Sequence, residues 1–309
     1  MKTFRNIIYV IAIFCGTQAF SQQLPQFTQY MFNTISINPA YAGSRGGFSV
    51  VGLHRSQWAG FEGGPSTQTV SVHTPLKNEK VGLGFSFIND NLGYENSSYF
   101  YGDFSYSIQV SPATKLAFGL KGGFTHYTLD DELLTDPSVA NDPYFTEFSN
   151  RWSPNIGVGT YLHNERWYVG LSAPRILNND YNDGEAAGVD YVALERVSYY
   201  LTGGYVFDLN TDWKFKPAAL LKATNGAPLS LDATANFLYN EKLWLGAAYR
   251  VDSFNTFGAI IDFQISEKFR LGYAYELPVS GIRPYTSGTH EFLLIYEFKT
   301  KNCKCPRYF

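Results

Sequence analysis

Three groups of side chains in this sequence have the types and spacing to do chemistry. The largest is a set of charges at alternating positions: Asp103, Lys121, Lys214, Lys216, Asp232, Arg250, Asp262, Arg270, Glu276, Glu291 and Glu297. Carboxylates beside ammonium and guanidinium groups pair, hold one another's protonation states, and line routes for ions. The signs here are mixed, whereas a strongly selective ion route calls for a ring of one sign. The expected outcome is pairing across an enclosed space. The second group is acidic: Asp130-Asp131-Glu132, and Asn179, Asp180, Asn182, Asp183, Gly184 and Glu185. Oxygen-rich clusters suit hard cations, but the spacing fits no EF-hand, and a solvated loop is the simpler reading. The third is Cys303-Lys304-Cys305. A disulfide between residues two apart is strained and labile, and two cysteines alone make a poor metal site. A mixed disulfide with a partner and an inert tail both stay open.

Catalytic motifs are missing. His54, His73, His126, His163 and His290 have no metal-ligand spacing. No Gly-x-Ser-x-Gly elbow and no phosphate-binding loop occurs. A Ser-His site assembled from separate strands would leave no such motif. With none in view, the expectation is a protein that is not an enzyme, with no catalytic residue, cofactor or metal.

The elements that position the charges are strands of period 2. Phe104, Tyr106, Ile108 and Val110 oppose Asp103, Ser105, Ser107 and Gln109; Leu116, Phe118, Leu120 and Phe124 oppose Ala117, Gly119, Lys121, Gly123 and Thr125. The same pattern places strands near 47–55, 66–74, 80–89, 97–110, 115–128, 154–162, 166–173, 196–208, 212–222, 228–238, 242–252, 256–265, 269–276 and 289–298. The number is even. Every second connection is short and polar (75–79, 111–114, 163–165, 209–211, 240–241, 266–268). Those between are mostly longer (56–65, 90–96, 129–153, 174–195, 223–227, 277–288), with 253–255 the exception. Short turns at one end and long loops at the other mark an outer-membrane barrel, and an even count puts both termini in the periplasm. Trp167 and Trp213 follow short turns on the outward parity, as an aromatic girdle requires. Trp244 falls on the inward parity, so either it faces the lumen or the register there slips by one. A soluble sandwich would alternate too, burying its apolar faces against each other.

The 309-residue chain has a net charge of −3, 17% aromatics and 28 Gly. Residues 1–21 read as a removable signal peptide: Lys2 and Arg5, the apolar stretch from Ile7 to Cys15, and Ala19-Phe20-Ser21 as cleavage site. A lipoprotein reading at Cys15 meets bulky Phe14 before it. Removing Lys2 and Arg5 from 24 basic residues leaves 22 against 27 acidic, a charge of −5, and no basic stripe suggests nucleic acid. Nothing after the signal approaches a spanning helix, so a membrane location requires a closed barrel. The expected organisation is an all-β, transmembrane antiparallel β-barrel of about 14 strands over 47–298, an N-terminal plug or periplasmic segment over 22–46, and a periplasmic tail over 299–309. The inward parity also carries Leu220, Leu238, Ile260, Leu293 and Ile295, with Gly82, Gly84, Gly119, Gly157, Gly159, Gly170, Gly204, Gly246 and Gly272. Either a segment packs on these positions, or the glycines ease curvature and the apolar residues pack on neighbouring strands.

Residues 26–45 read QFTQYMFNTISINPAYAGSR, with no strand or helix period and a rigid turn from Asn38 to Gly43. This wording resembles the opening of the PorP/SprF family of the Bacteroidetes type IX secretion system. The resemblance continues through Arg55-Ser-Gln-Trp58, the stretches beginning at Pro65 and Ser71, Gly82-Leu-Gly84, and Ser287 to Phe298. It implies an outer-membrane protein serving type IX secretion or gliding motility. The implied partners are a secreted adhesin or cargo outside, and secretion-system or peptidoglycan-linked components in the periplasm. It carries over no catalytic residues. The positions matching the family's opening, and so expected to form a plug or docking segment, are Gln29, Tyr30, Met31, Asn33, Asn38, Pro39, Ala40, Tyr41, Ala42 and Gly43. The competing expectation is a diffusion or hydrophobic-substrate channel with a plugged lumen.

Overall fold

The computed structural model of the protein describes residues 25–135, 150–178, 196–299 and 308. The signal peptide, most of the two acidic loops, residues 179–185 and the two tail cysteines lie outside the described residues.

Period-2 patterning becomes one antiparallel sheet of fourteen strands. They are β1 (Gly47–Ser56), β2 (Ser66–Pro75), β3 (Val81–Leu92), β4 (Glu95–Ser111), β5 (Thr114–Leu129), β6 (Asn150–His163) and β7 (Trp167–Ala173). Then come β8 (Ser198–Tyr205, resumed after Val206 by Phe207–Asp208), β9 (Trp213–Thr224), β10 (Ser230–Tyr239), β11 (Leu243–Val251), β12 (Thr256–Gln264), β13 (Phe269–Pro278) and β14 (Thr289–Lys299). β1 pairs with β14 from Gly47↔Lys299 through Ser56↔His290, which closes the sheet into a barrel. Closure pairs every strand edge, the condition for crossing a bilayer with strands.

The two faces sort as lipid demands. On β4 and β5, Phe104, Tyr106, Phe118 and Leu120 are exposed, while Asp103, Ser105, Ala117 and Lys121 are buried. Trp167 and Trp213 share the outward parity, and Trp213 lies 4.7 Å from Tyr239, its register partner. Trp244 is buried and points inward, so the register there does not slip. The turn between β10 and β11 spans residues 240–242, with Asn240 and Glu241 both at positive φ, the left-handed backbone that tight hairpin turns use.

One connection differs from expectation. Residues 90–96 are not a long loop: β3 and β4 run on to Leu92 and Glu95 and meet at Gly93-Tyr94. Their polar upper reach reads as loop, yet Asn89 donates to Asn96 Oδ1 (3.1 Å) and to Ser98 Oγ (2.9 Å). Cross-strand side-chain bonds of this kind sustain pairing where apolar residues give out.

Candidate functional site

Residues 25–46 form no strand. They make three 3-10 turns, Tyr30–Phe32, Thr34–Ser36 and Pro39–Tyr41. The third turn is written locally: Pro39 fixes φ at the first position, and Asn38 caps it by accepting from the Ala40 N–H at 3.0 Å. All ten residues from the family wording, Gln29 through Gly43, belong to this segment, and Tyr30, Met31, Phe32, Asn33, Asn38, Ala40 and Tyr41 are buried.

The segment meets inward-facing side chains around the ring. Near β1, β13 and β14, Glu291 accepts the N–H groups of Thr28 (2.9 Å) and Gln29 (2.8 Å) with its two oxygens. Arg55 bridges Glu291 (3.2 Å), Glu276 (2.7 Å) and the Thr28 hydroxyl (3.1 Å). On the opposite arc, Lys121 donates to the Ile35 carbonyl (3.3 Å), Ser172 to that of Ile37 (2.7 Å), and Ser105 to that of Ala42 (2.7 Å). The Asn38 amide donates to the Thr160 carbonyl at 3.0 Å. At its end, Arg45 pairs with Glu297 (2.6 Å) and donates to the Tyr41 hydroxyl (2.8 Å), and the Gly43 N–H donates to His73 Nδ1 (3.2 Å). Where the bonded groups are buried, as at Thr28, Gln29, Ile35, Ile37 and Ala42, each bond removes a desolvation penalty of roughly 1–3 kcal/mol.

Apolar contacts follow the same path. Phe27, Tyr30, Met31, Phe32 and Ile37 form one buried cluster with Leu220, Leu238, Trp244, Ile260, Leu293 and Ile295. Phe32 meets Trp244 edge-on at 5.9 Å, and the Arg270 guanidinium lies 4.8 Å from the Phe32 ring. Tyr41 sits edge-on to both His73 and Tyr161, at 5.4 Å each.

The inward glycines divide between the two readings the sequence leaves open. A methyl at Gly82 would stand 2.1 Å from the Ala42 carbonyl oxygen, at Gly84 2.5 Å from Ile35 Cδ1, at Gly119 2.1 Å from Ala40 N, and at Gly159 2.2 Å from Asn38 Oδ1. Those four make room for the N-terminal segment. Gly157, Gly204 and Gly246 instead clear Pro174, Tyr168 and Asn236 of the barrel itself.

The inward charges Asp103, Lys121, Asp232, Arg250, Asp262, Arg270 and Glu291 are all buried. They pair along the wall and not, as expected, across the lumen: Glu276 reaches over one intervening strand to Arg55 (2.7 Å) and to Arg250 (3.6 Å), and the other pairs are between neighbours. Lys121 and Asp103 (2.7 Å), Arg250 and Asp232, and Arg55 and Glu291 are register partners on adjacent strands. The physical reason is reach: neighbouring strands lie about 5 Å apart, within the length of two charged side chains, and Arg55 and Lys121 also donate to Thr28 and Ile35 of the N-terminal segment. Lys214 is half-buried and pairs with Asp208 at 2.8 Å. Sequence reasoning missed Arg55 and Arg45. Arg55 follows Val51 and Leu53 on the inward parity of β1, a signal that was available. Tyr308 was missed too: its hydroxyl donates to Glu241 (3.0 Å), its ring lies 5.4 Å from Lys214 Nζ, and its carbonyl accepts from Lys216. Among the described residues, no group of three or more His, Cys, Asp or Glu side chains is placed to hold a metal ion.

At the long-loop end, the Ala59 N–H donates to the Gly288 carbonyl (2.7 Å) and the Ser287 N–H to that of Ala59 (2.8 Å). Trp58 packs on Phe254 at 5.4 Å, so the loops after β1, β11 and β13 hold together.

A family model described as "Type IX secretion system membrane protein PorP/SprF" matches residues 19–296. Among solved structures, the CymD monoaromatic hydrocarbon channel aligns at 11% identity and a TM-score of 0.50, over 90% of this chain and 94% of that one. The Acinetobacter baumannii outer membrane protein Omp33 aligns at 11% identity and 0.48, over 82% and 98%. These are likenesses of fold alone. No curated protein matches the chain in sequence.

Proposed function

The chain belongs to the PorP/SprF family of type IX secretion system membrane proteins, and on that premise we propose that it supports export and surface anchoring of a secreted adhesin or other cargo by protein contacts, without catalysis. It is a β-barrel of the outer membrane. In this reading both termini and the short turns face the periplasm, where the tail 299–309 meets secretion-system or peptidoglycan-linked components. The long loops 129–153, 174–195 and 277–288 face outward and grip cargo.

The observation that carries the proposal is the N-terminal segment. The residues that resemble the family's opening are the ones held by both arcs of the wall, through Glu291 on one side and Lys121, Ser172 and Ser105 on the other. A segment held this way is a plug, and a plugged barrel suits a protein that binds and anchors more than one that passes solutes. The experiment is deletion of 26–45, read by export of the cargo and by heat-modifiable mobility of the barrel. The reading expects lost export from an inserted, folded barrel. Normal export by the deletion variant overturns it.

A second reading, a diffusion or hydrophobic-substrate channel, draws on the apolar interior formed by Leu220, Leu238, Ile260 and Leu293. Planar-bilayer recording separates the two, because a large steady current from intact protein belongs to the channel.

A further inference from the structure

The outer face of the barrel is not uniform in height. On β4 the outward positions from Phe100 to Val110 carry Phe100, Phe104, Tyr106, Ile108 and Val110, interrupted only by Gly102. Ten steps at about 3.4 Å, tilted by about 40–45°, give a height of roughly 25 Å, the height of the apolar band of an outer-membrane barrel. Everything above Phe100 on this arc therefore stands clear of hydrocarbon. Two register rows lie there, still on the outward parity. The lower runs His54–Gln68–Asn89–Ser98–His126–Trp152 across β1 to β6, and the upper runs Ser56–Ser66–Asn91–Asn96–Thr128–Asn150. None of these residues is Lys, Arg, Asp or Glu. On the other arc the outward side chains stay apolar to the strand ends, as at Tyr199, Leu231, Val251 and Phe257.

We infer that this belt of amides, hydroxyls and imidazole, about 24 Å wide for six strands, is a contact surface for the sugar headgroups of outer-leaflet glycolipid. It is continuous with the lipid-facing wall directly below it, so its neighbour is whatever stands above the acyl chains there. Its chemistry matches neutral polyols: Asn and Gln each present two donors and an acceptor, and these are held in place. Asn91 donates to Asn89 Oδ1 (3.1 Å), Asn96 donates to Asn91, and the His126 ring bonds Asn150 (2.8 Å) while stacking on Trp152 at 4.3 Å. Trp152 and Phe124 present exposed aromatic faces at the boundary. Phosphate-directed binding would call for Lys or Arg clusters, which the belt lacks. The inference rests on the orientation proposed above, with the long-loop end outside.

The test uses purified full-length protein in nanodiscs containing rough lipopolysaccharide, whose headgroup is sugar, or phosphatidylglycerol, an anionic lipid whose headgroup is not, with retained lipid counted by native mass spectrometry. The expected result is about tenfold stronger retention of the sugar-bearing lipid, lost in Asn91→Leu/Asn96→Leu and reduced in Gln68→Ala, with each variant's folding checked by heat-modifiable mobility. Equal retention of both lipids overturns the inference, as does sugar-dependent retention that the variants leave unchanged. A dimer mass in place of bound glycolipid would assign the belt to a second copy and also overturn it. Orientation is read separately, by labelling Tyr94→Cys on intact cells with an impermeant maleimide. No labelling at that position refutes the orientation, and with it the placing of the belt in the outer leaflet, whatever the nanodiscs retain.

Discussion

Replacing Gly119 with Ala should detach the Pro39–Tyr41 turn while leaving the barrel closed. The added methyl would stand 2.1 Å from Ala40 N, 2.4 Å from Pro39 C and 2.5 Å from Ala40 Cα, all of them backbone atoms. The wall cannot give way, because Gly119 is pinned by ladder partners Ser105 and Gly159 on both sides. Moving from 2.1 Å to an ordinary contact of at least 3.4 Å displaces the turn by about 1.3 Å. That displacement stretches the bond from Ser105 to the Ala42 carbonyl, now 2.7 Å. Overpacking costs about 1–3 kcal/mol and a lost hydrogen bond about 1 kcal/mol. Alanine returns roughly 0.5–1 kcal/mol relative to glycine. The net is roughly 1–3.5 kcal/mol against docking, on the order of 5- to 400-fold in the docking equilibrium constant. Limited proteolysis of the folded protein, with fragments read by mass spectrometry, reports the undocked population when opening is fast relative to cleavage. Gly122→Ala is the matched control: it lies three residues on, and a methyl there meets nothing within 4 Å. Equal cleavage of the N-terminal segment in the two variants would refute the reasoning.

Other substitutions probe the remaining anchors. Glu291→Ala removes the acceptor for the buried Thr28 and Gln29 N–H groups and one of the two carboxylates paired with Arg55, which keeps Glu276. A loss of about 2–4 kcal/mol is expected from the two stranded donors, visible as a lower urea midpoint, with Glu291→Gln milder. Asn38→Ala loses the cap and the bond to Thr160; about 1–2 kcal/mol should disappear, seen as faster hydrogen exchange at Ala40. Trp244→Ala empties the pocket under Phe32 and should cost about 3–5 kcal/mol by the same urea measurement. In planar bilayers the full chain should stay closed and the 26–45 deletion should pass a steady current; a large current from the full chain would contradict the plug.

The strands were legible because lipid on one side and a packed interior on the other impose period 2 with little room for exception. Phe104 to Val110 and Leu116 to Phe124 announce their faces at sight. Where the wall leaves the membrane that pressure ends, and the Asn-rich run from Asn89 to Asn96 reads as a loop although it is paired. The contacts of residues 25–46 were not legible as contacts, since Glu291 and Thr28 are joined across 263 positions and no local pattern encodes that. The inward glycines carried part of the signal, but Gly119 and Gly246 look alike in sequence and clear different neighbours. Arg55 was readable from its parity with Val51 and Leu53, and Tyr308 was not, because nothing in the tail marks its partner Glu241.

The central claim is that this barrel works by holding other proteins of the secretion machinery and its cargo. Affinity purification of the tagged full-length chain from cross-linked outer membranes, with quantitative mass spectrometry, tests it most directly. The account predicts enrichment of type IX secretion components together with a secreted adhesin or cargo, and loss of that enrichment when 26–45 is deleted from a folded barrel. Recovery of the intact barrel with no secretion component and no secreted protein would contradict it.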